Sequence, residues 1–222
     1  MRICPIHSEV IETIPANRHV FICGMTRTGK SYLAEQYLRG YKYVVKLDTK
    51  DETDERLAVG RSPWDGLEEG KDFSIIRDVN LLDDCDTDKI IFVPSYDDQT
   101  EEIFNQFFRW CFERGNTIVW VDELMSLGTS NRYPKELGRI YQQGASKGTV
   151  IWACSQRPSG VPLIATANSN YFFVFNMMLP QDRKRMVDAT GMTELDEIPQ
   201  GHNFWYCELG DMHPVKAVLV ND

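Results

Sequence analysis

The 222-residue chain lacks any apolar run long enough to cross a bilayer. Its longest stretch, Tyr171 to Phe175 followed by Met177 to Leu179, is broken by Asn176 and falls far short of the ~20 residues that a spanning helix needs. The start, MRICPIHSEVIETIPANR, has no apolar segment after a basic one, so neither a secretory leader nor a transit peptide is expected and the cytosol is the default location. CxxC spacing is missing among the six cysteines (Cys4, Cys23, Cys85, Cys111, Cys154, Cys207), which argues against zinc ribbons and dithiol redox chemistry. Three of them lie inside apolar runs, where a thiol behaves as a small hydrophobe. Cys4 and His7 stand close together, but no second ligand pair accompanies them. Positive charge is scarce too: 24 Lys and Arg face 33 Asp and Glu, a formal net charge of -9. A surface that coats nucleic acid through its phosphates is thereby excluded, and any such contact has to be local. There is no internal repeat and no low-complexity tract, so residues 1–222 are read as one domain.

What is present is an alternation of short apolar runs with helix-compatible segments. Arg18 to Cys23 reads as a strand that ends in a glycine loop, and Ser31 to Arg39 as a helix stopped by Gly40. Tyr43 to Leu47 is a second β-branched run, followed by the polar stretch Asp48 to Glu55 and a Gly- and acid-rich surface excursion from Gly60 to Asp72. Phe73 to Ile76 reads as an edge strand and Lys89 to Val93 as a buried one. Thr100 to Arg114 places Phe104, Phe108 and Cys111 on one helical face. Thr117 to Val121 and Thr149 to Cys154 are further buried strands around a helix over Pro134 to Lys147. Tyr171 to Phe175 is a strand, Gln181 to Ala189 a helix, and Asn203 to Glu208 with Val215 to Val220 an antiparallel pair. The pattern predicts an α/β fold with a mostly parallel central sheet flanked by helices.

Three strand ends carry chemistry. Gly24-Met25-Thr26-Arg27-Thr28-Gly29-Lys30-Ser31 satisfies GxxxxGK[ST] directly between a strand and a helix, the context in which that pattern binds phosphate. Backbone N–H groups from Gly24 through Tyr32 face the anion, Lys30 reaches the β and γ oxygens of ATP, and the Ser31 hydroxyl completes an Mg²⁺ shell. Ile118-Val119-Trp120-Val121 then delivers two adjacent carboxylates: Asp122 for the metal through water and Glu123 as the base for an attacking water. Finally, Thr149 to Cys154 ends in Ser155-Gln156-Arg157-Pro158, where the Gln156 amide can bond both a γ-phosphate oxygen and the attacking water. A glycine turn with a chance lysine, or carboxylates that merely cap a strand, are the bland alternatives, and the ordered set argues against both.

In this order the motifs resemble the FtsK/HerA superfamily of P-loop DNA-pumping motors. Leu47-Asp48-Thr49-Lys50 is similar to the family's Asp-Pro-Lys element, with Thr49 in place of proline. Leu137 to Gly148 resembles the helix before the sensor strand, Ser155-Gln156-Arg157-Pro158-Ser159 the Thr-Gln-Arg-Pro-Ser signature, and Ala167-Asn168 with Gln181-Asp182-Arg183 the downstream elements. The similarity spans about residues 18 to 210 and implies a RecA-like (ASCE-type) core, ATP and Mg²⁺ as cofactors, double-stranded DNA as partner and a homo-oligomeric ring, with a hexamer favoured. With no accessory domains seen, the chain looks most like the packaging ATPases of tailless icosahedral internal-membrane viruses. That resemblance implies host cytoplasm, a packaging vertex and capsid or vertex proteins as partners. The family places an arginine finger where this chain has Ala145; Arg139 on the same helix is the candidate replacement, with Lys147 and Arg157 as alternatives.

A ring needs cations only on loops that face its channel. Lys50 with Arg56, Arg61 with Lys71, and Arg132 within Ser126 to Lys135 are candidates; Arg183-Lys184-Arg185 on a helix is more simply a solvated face. Rival readings are a HerA-like helicase or conjugation-type motor, a nucleotide-switched assembly protein that never moves DNA, and a small-molecule kinase.

Overall fold

The computed structural model describes residues 3–5, as backbone only, and 14–219; Val220 and the His7 side chain lie outside the described residues, as does the side chain of Cys4. Among the described residues there are ten strands: β1 (Ile3–Pro5), β2 (Val20–Cys23), β3 (Val44–Leu47), β4 (Phe73–Ile76), β5 (Lys89–Phe92), β6 (Ile118–Val121), β7 (Val150–Ser155), β8 (Tyr171–Val174), β9 (Asn203–Glu208) and β10 (Val215–Leu219). They form one sheet in the order β1-β10-β9-β8-β2-β7-β6-β3-β5-β4. The seven strands from β8 to β4 run parallel, whereas β9, β10 and β1 join antiparallel. The expected mostly parallel sheet with a C-terminal antiparallel pair is therefore present, and β4 is an edge strand as read.

Parallel strands covered on both faces must bury side chains of both parities. Accordingly Phe21 points into one cluster with α3 (Glu101–Arg114), α4 (Lys135–Gln143) and α6 (Pro180–Thr190). Val20 and Ile22 point into the other, against Leu33, Ala34 and Leu38 of α1 (Lys30–Leu38). The α3 helix starts where Thr100 Oγ1 accepts the Ile103 N–H, carries Glu101 and Glu102 in its first turn, and stops at Gly115 with φ 70°. Phe104, Phe107, Phe108, Cys111 and Phe112 form its buried stripe.

The structure departs from the sequence pattern in four places. The polar stretch after β3 holds a helix, α2 (Glu52–Ala58), and α5 (Leu163–Ala167) follows the sensor-strand signature. The helix expected over 134–147 ends at Gln143 and continues as a 3₁₀ turn over Gly144–Lys147, where the chain passes so close to the Thr149 carbonyl that Gly144 has no room for a Cβ. The excursion from Gly60 to Asp72 is anchored by Trp64, which is wholly buried, packs on Phe73 and Trp120, and donates its indole N–H to Glu35 O at 3.4 Å. Among the described residues no helix is long and apolar enough to cross a membrane.

His19 enters the sheet just ahead of β2. Its Nδ1 accepts the Ile151 N–H at 2.9 Å, its ring lies 5.0 Å from Tyr141, and burial lowers its pKa to about 4. An accepting Nδ1 requires the neutral ring with its proton on Nε2. Because the folded pKa lies below the unfolded ~6.5, the stability this group permits is complete above that value and is lost as pH falls toward 4. Between pH 7 and pH 5 the loss from this group is about 2 kcal/mol. Urea titrations at the two pH values should show that loss in the parent chain and a smaller one in His19→Gln, whose amide oxygen can still accept from Ile151; equal losses would refute it.

Candidate active site

In the order β2-β7-β6-β3, neighbours in space are not neighbours in sequence, so the chain reverses its direction of winding beside β2. Ligands of open α/β sheets bind at the carboxyl ends of strands at such points. Four loops meet there: residues 24–29 after β2, Gln156 after β7, Asp122 and Glu123 after β6, and Asp48 to Lys50 after β3.

The glycine loop is pinned on both sides. Gly24 N–H donates to Ser155 O at 3.2 Å, and Met25 N–H to Asn176 O at 2.8 Å. At Gly24, φ is 146° and a Cβ would stand 2.5 Å from Phe175 Cβ; Gly29, at φ 106°, caps α1. Both positions exclude side chains, Gly24 for space and conformation together, Gly29 for its left-handed backbone. The N–H groups of Lys30, Ser31 and Tyr32 open α1 and have no acceptor within the helix, so they are free for an anion. Thr28 Oγ1 and Lys30 Nζ both donate to Met25 O at 2.8 Å. Burial is the main influence on the Lys30 ammonium and lowers its pKa below the ordinary lysine value, leaving a charge in need of an anionic partner.

Across from it, Ser31 Oγ donates to Asp122 Oδ1 at 2.8 Å. Asp122 is 1% exposed. Burial pushes its pKa up, but Lys46 and Lys50, together with hydrogen bonds from Lys50 and Ser31, more than offset that and hold it below the usual carboxylate value. Lys46 is itself fully buried, 3.6 Å from Glu52 and with its ammonium 4.5 Å from the centre of the Trp120 ring. Glu123 Oε1 accepts the Met125 N–H at 3.4 Å, whereas Oε2 is buried and, among the described residues, has no hydrogen-bond partner. Gln156 Oε1 accepts from Thr26 Oγ1 of the glycine loop at 2.9 Å. Lys30, Ser31, Asp122, Glu123 and Gln156 are thus drawn to one place.

Other motif residues turn out to be fasteners. Asp48, wholly buried, accepts the Lys50 N–H at 3.0 Å and both the N–H and hydroxyl of Thr53 at 2.7 Å, shaping the turn into α2. Thr49, standing where the resemblance has proline, shares a hydrogen bond of 2.6 Å with Ser126. Arg157 and Ser159 clamp Asp182 at the start of α6, through 3.2 Å from Nε and 3.0 and 2.6 Å from the Ser159 N–H and hydroxyl. Arg183 donates to the carbonyls of Met177 and Met178 and to Asp196, so it is not part of a free basic face. Arg56 is likewise turned inward, bidentate to Glu35 of α1. Arg139 is not among the contacts of this cluster: it pairs with Glu136 at 3.2 Å and lies 3.9 Å from the centre of the Phe112 ring, which Lys147 also approaches. His202, which nothing in the sequence singles out, places Nδ1 3.2 Å from Thr28 O and ties the C-terminal hairpin to the glycine loop.

No family model matches the sequence, and no curated protein matches it either. Solved structures do match its fold. The genome-packaging NTPase B204 of Sulfolobus turreted icosahedral virus 2, in complex with sulfate, aligns with a TM-score of 0.74 at 10% identity over 94% of this chain and 100% of that one. The same protein with ATPγS aligns at 0.73 and 12% identity, over 94% and 100%. VirB4 of Thermoanaerobacter pseudethanolicus aligns at 0.61 and 12% identity, covering 94% of this chain and 93% of that one. The chain therefore shares the fold of these proteins, an α/β architecture around a mostly parallel sheet, as its motif order leads one to expect.

Proposed function

We propose that this chain is the ATP-hydrolysing motor of a double-stranded DNA pump, working as a ring of identical subunits, most simply a hexamer, in viral genome packaging. The observation that carries the reading is the convergence of Lys30, Ser31, Asp122, Glu123 and Gln156, with Ser31 and Asp122 joined at 2.8 Å, on a fold shared with a packaging NTPase. The host cytoplasm and a packaging vertex, with capsid or vertex proteins as partners, belong to the same reading.

The residues suit the chemistry. Main-chain N–H groups of the loop and of the first turn of α1 orient the phosphates, and Lys30 neutralises them. Ser31 and Asp122 form a hard-oxygen donor pair that fits Mg²⁺ with water in its remaining positions. Mg²⁺ held there would supply charge neutralisation to the phosphates. Glu123 Oε2, without a hydrogen-bond partner, accepts the proton of a water that attacks the γ phosphorus while the bond to the bridging oxygen breaks and ADP departs. Gln156, bonded to the glycine loop through Thr26, is placed to register the γ-phosphate.

Arg139 is offered to a neighbouring subunit rather than to its own site. Its side chain is 39% exposed at an open groove of about 630 Å³ that includes Tyr133, Lys135 and Gln142. Lys147, over the same ring, and Arg157, held by Asp182, remain the alternatives.

Glu123→Gln should bind ATP with near-parental affinity yet hydrolyse it at least ~10²-fold more slowly, while Lys30→Ala should lose binding as well. Linear duplex DNA should stimulate the parental rate; unchanged hydrolysis in Glu123→Gln would remove the base assignment, and a rate indifferent to DNA would favour a nucleotide-switched assembly protein. If Arg139 acts across an interface, Arg139→Ala and Glu123→Gln chains should each be inactive alone but regain activity when mixed. A mixture as inactive as its components would exclude that role.

A further inference from the structure

Lys50 makes contacts that the hydrolytic roles above do not require. Its Nζ lies 3.0 Å from Asp122 Oδ2, 3.2 Å from the Asp122 carbonyl and 3.7 Å from Glu123 Oε2. Ser31 occupies Asp122 Oδ1, so the carboxylate pair is shared between one hydroxyl and one ammonium on the side facing the glycine loop. For Glu123 Oε2 the Lys50 charge stands in for the hydrogen bond that is missing.

The backbone beneath Lys50 is held from two directions. Asp48 accepts the Lys50 N–H and fixes the start of α2, and Thr49 is bonded to Ser126, three residues beyond Glu123. The side chain, by contrast, is 34% exposed on a flexible four-carbon stem. A fixed base with a movable charge is the arrangement of an ammonium that can yield its place. Lys46 adds a second, fully buried positive charge that cannot leave.

A divalent ion arriving alone at Ser31 and Asp122 meets these like charges at close range, where the low local dielectric magnifies repulsion. An ion arriving with a triphosphate brings several negative charges that offset both lysines and draw Lys50 toward the phosphates. Resting on the ATPase reading, we infer that Lys50 is a resident counter-ion that keeps free divalent metal off the Asp122–Glu123 pair, so that metal enters only as the nucleotide complex. Lys50 is then a positioning residue, acting through Asp122 and Glu123.

The test is Mn²⁺ binding to the full chain without nucleotide, followed by electron paramagnetic resonance, in the parent, K50M, K50Q, K50R and K50M/D122N. K50M and K50Q should each gain one site that binds Mn²⁺ roughly tenfold or more tightly than any in the parent. K50R should behave as the parent, and D122N should abolish the gained site. Folded K50M and K50Q chains that titrate as the parent, or a gained site that survives D122N, overturn the inference. Mn·ATP binding is measured on the same samples: its absence from every chain would sink the nucleotide reading, while the metal titration would still decide the role of Lys50.

Discussion

Asp122 is a carboxylate buried at the junction of four loops, and a charge so placed must be paired or give up its ionised form. Breaking such a pair from one side costs about 3–5 kcal/mol, a large share of a domain's stability. Its partners come from different parts of the chain: Ser31 from the turn into α1, and Lys50 and Lys46 from the second of the parallel strands and the loop beyond it. Meeting that single requirement sets β2, β6 and β3 in relation to one another, with β7 seated between the first two. The candidate chemistry is a by-product of the pairing, because whatever neutralises Asp122 also surrounds Glu123 and faces Lys30.

The parts of this arrangement visible in the sequence are those whose spacing is dictated by covalent geometry. A strand, a glycine loop and a lysine at the head of a helix must be contiguous, and a carboxylate at the end of a buried strand needs only that strand's apolar run to announce it. The parts that were hidden depend on pairing at a distance. Lys46 sits in a run of β-branched residues and reads like any strand lysine, yet it is wholly buried beside Asp122. Arg56 looks like a loop cation available to DNA but is committed to Glu35, and Trp64 turns an acidic excursion into an anchored one. The α2 helix has no apolar stripe; it exists because Asp48 shapes its first turn, which no periodicity in ETDERLA could have disclosed.

The same pairing changes the meaning of the chain's acidity. In a molecule whose net charge is -9, Lys30 and Lys46 are buried and the partly exposed Lys50 is turned onto Asp122, so these positive charges are directed at the site rather than displayed. Surface cations such as Arg132 and Lys71 are tied to Glu101 and Glu68, exposed pairs of little energetic weight that can exchange partners readily.

Asp182 gives the Arg-Pro-Ser segment a mechanical character. The residues that grip it follow β7 directly, whereas Asp182 itself lies in the first turn of α6, an 11-residue helix about 16 Å long. That helix is braced along its length, with Met186 wholly buried and the Met192 N–H bonded to Thr190 Oγ1 at its far end, so the short polar segment after Gln156 fastens the tip of β7 to a fixed strut.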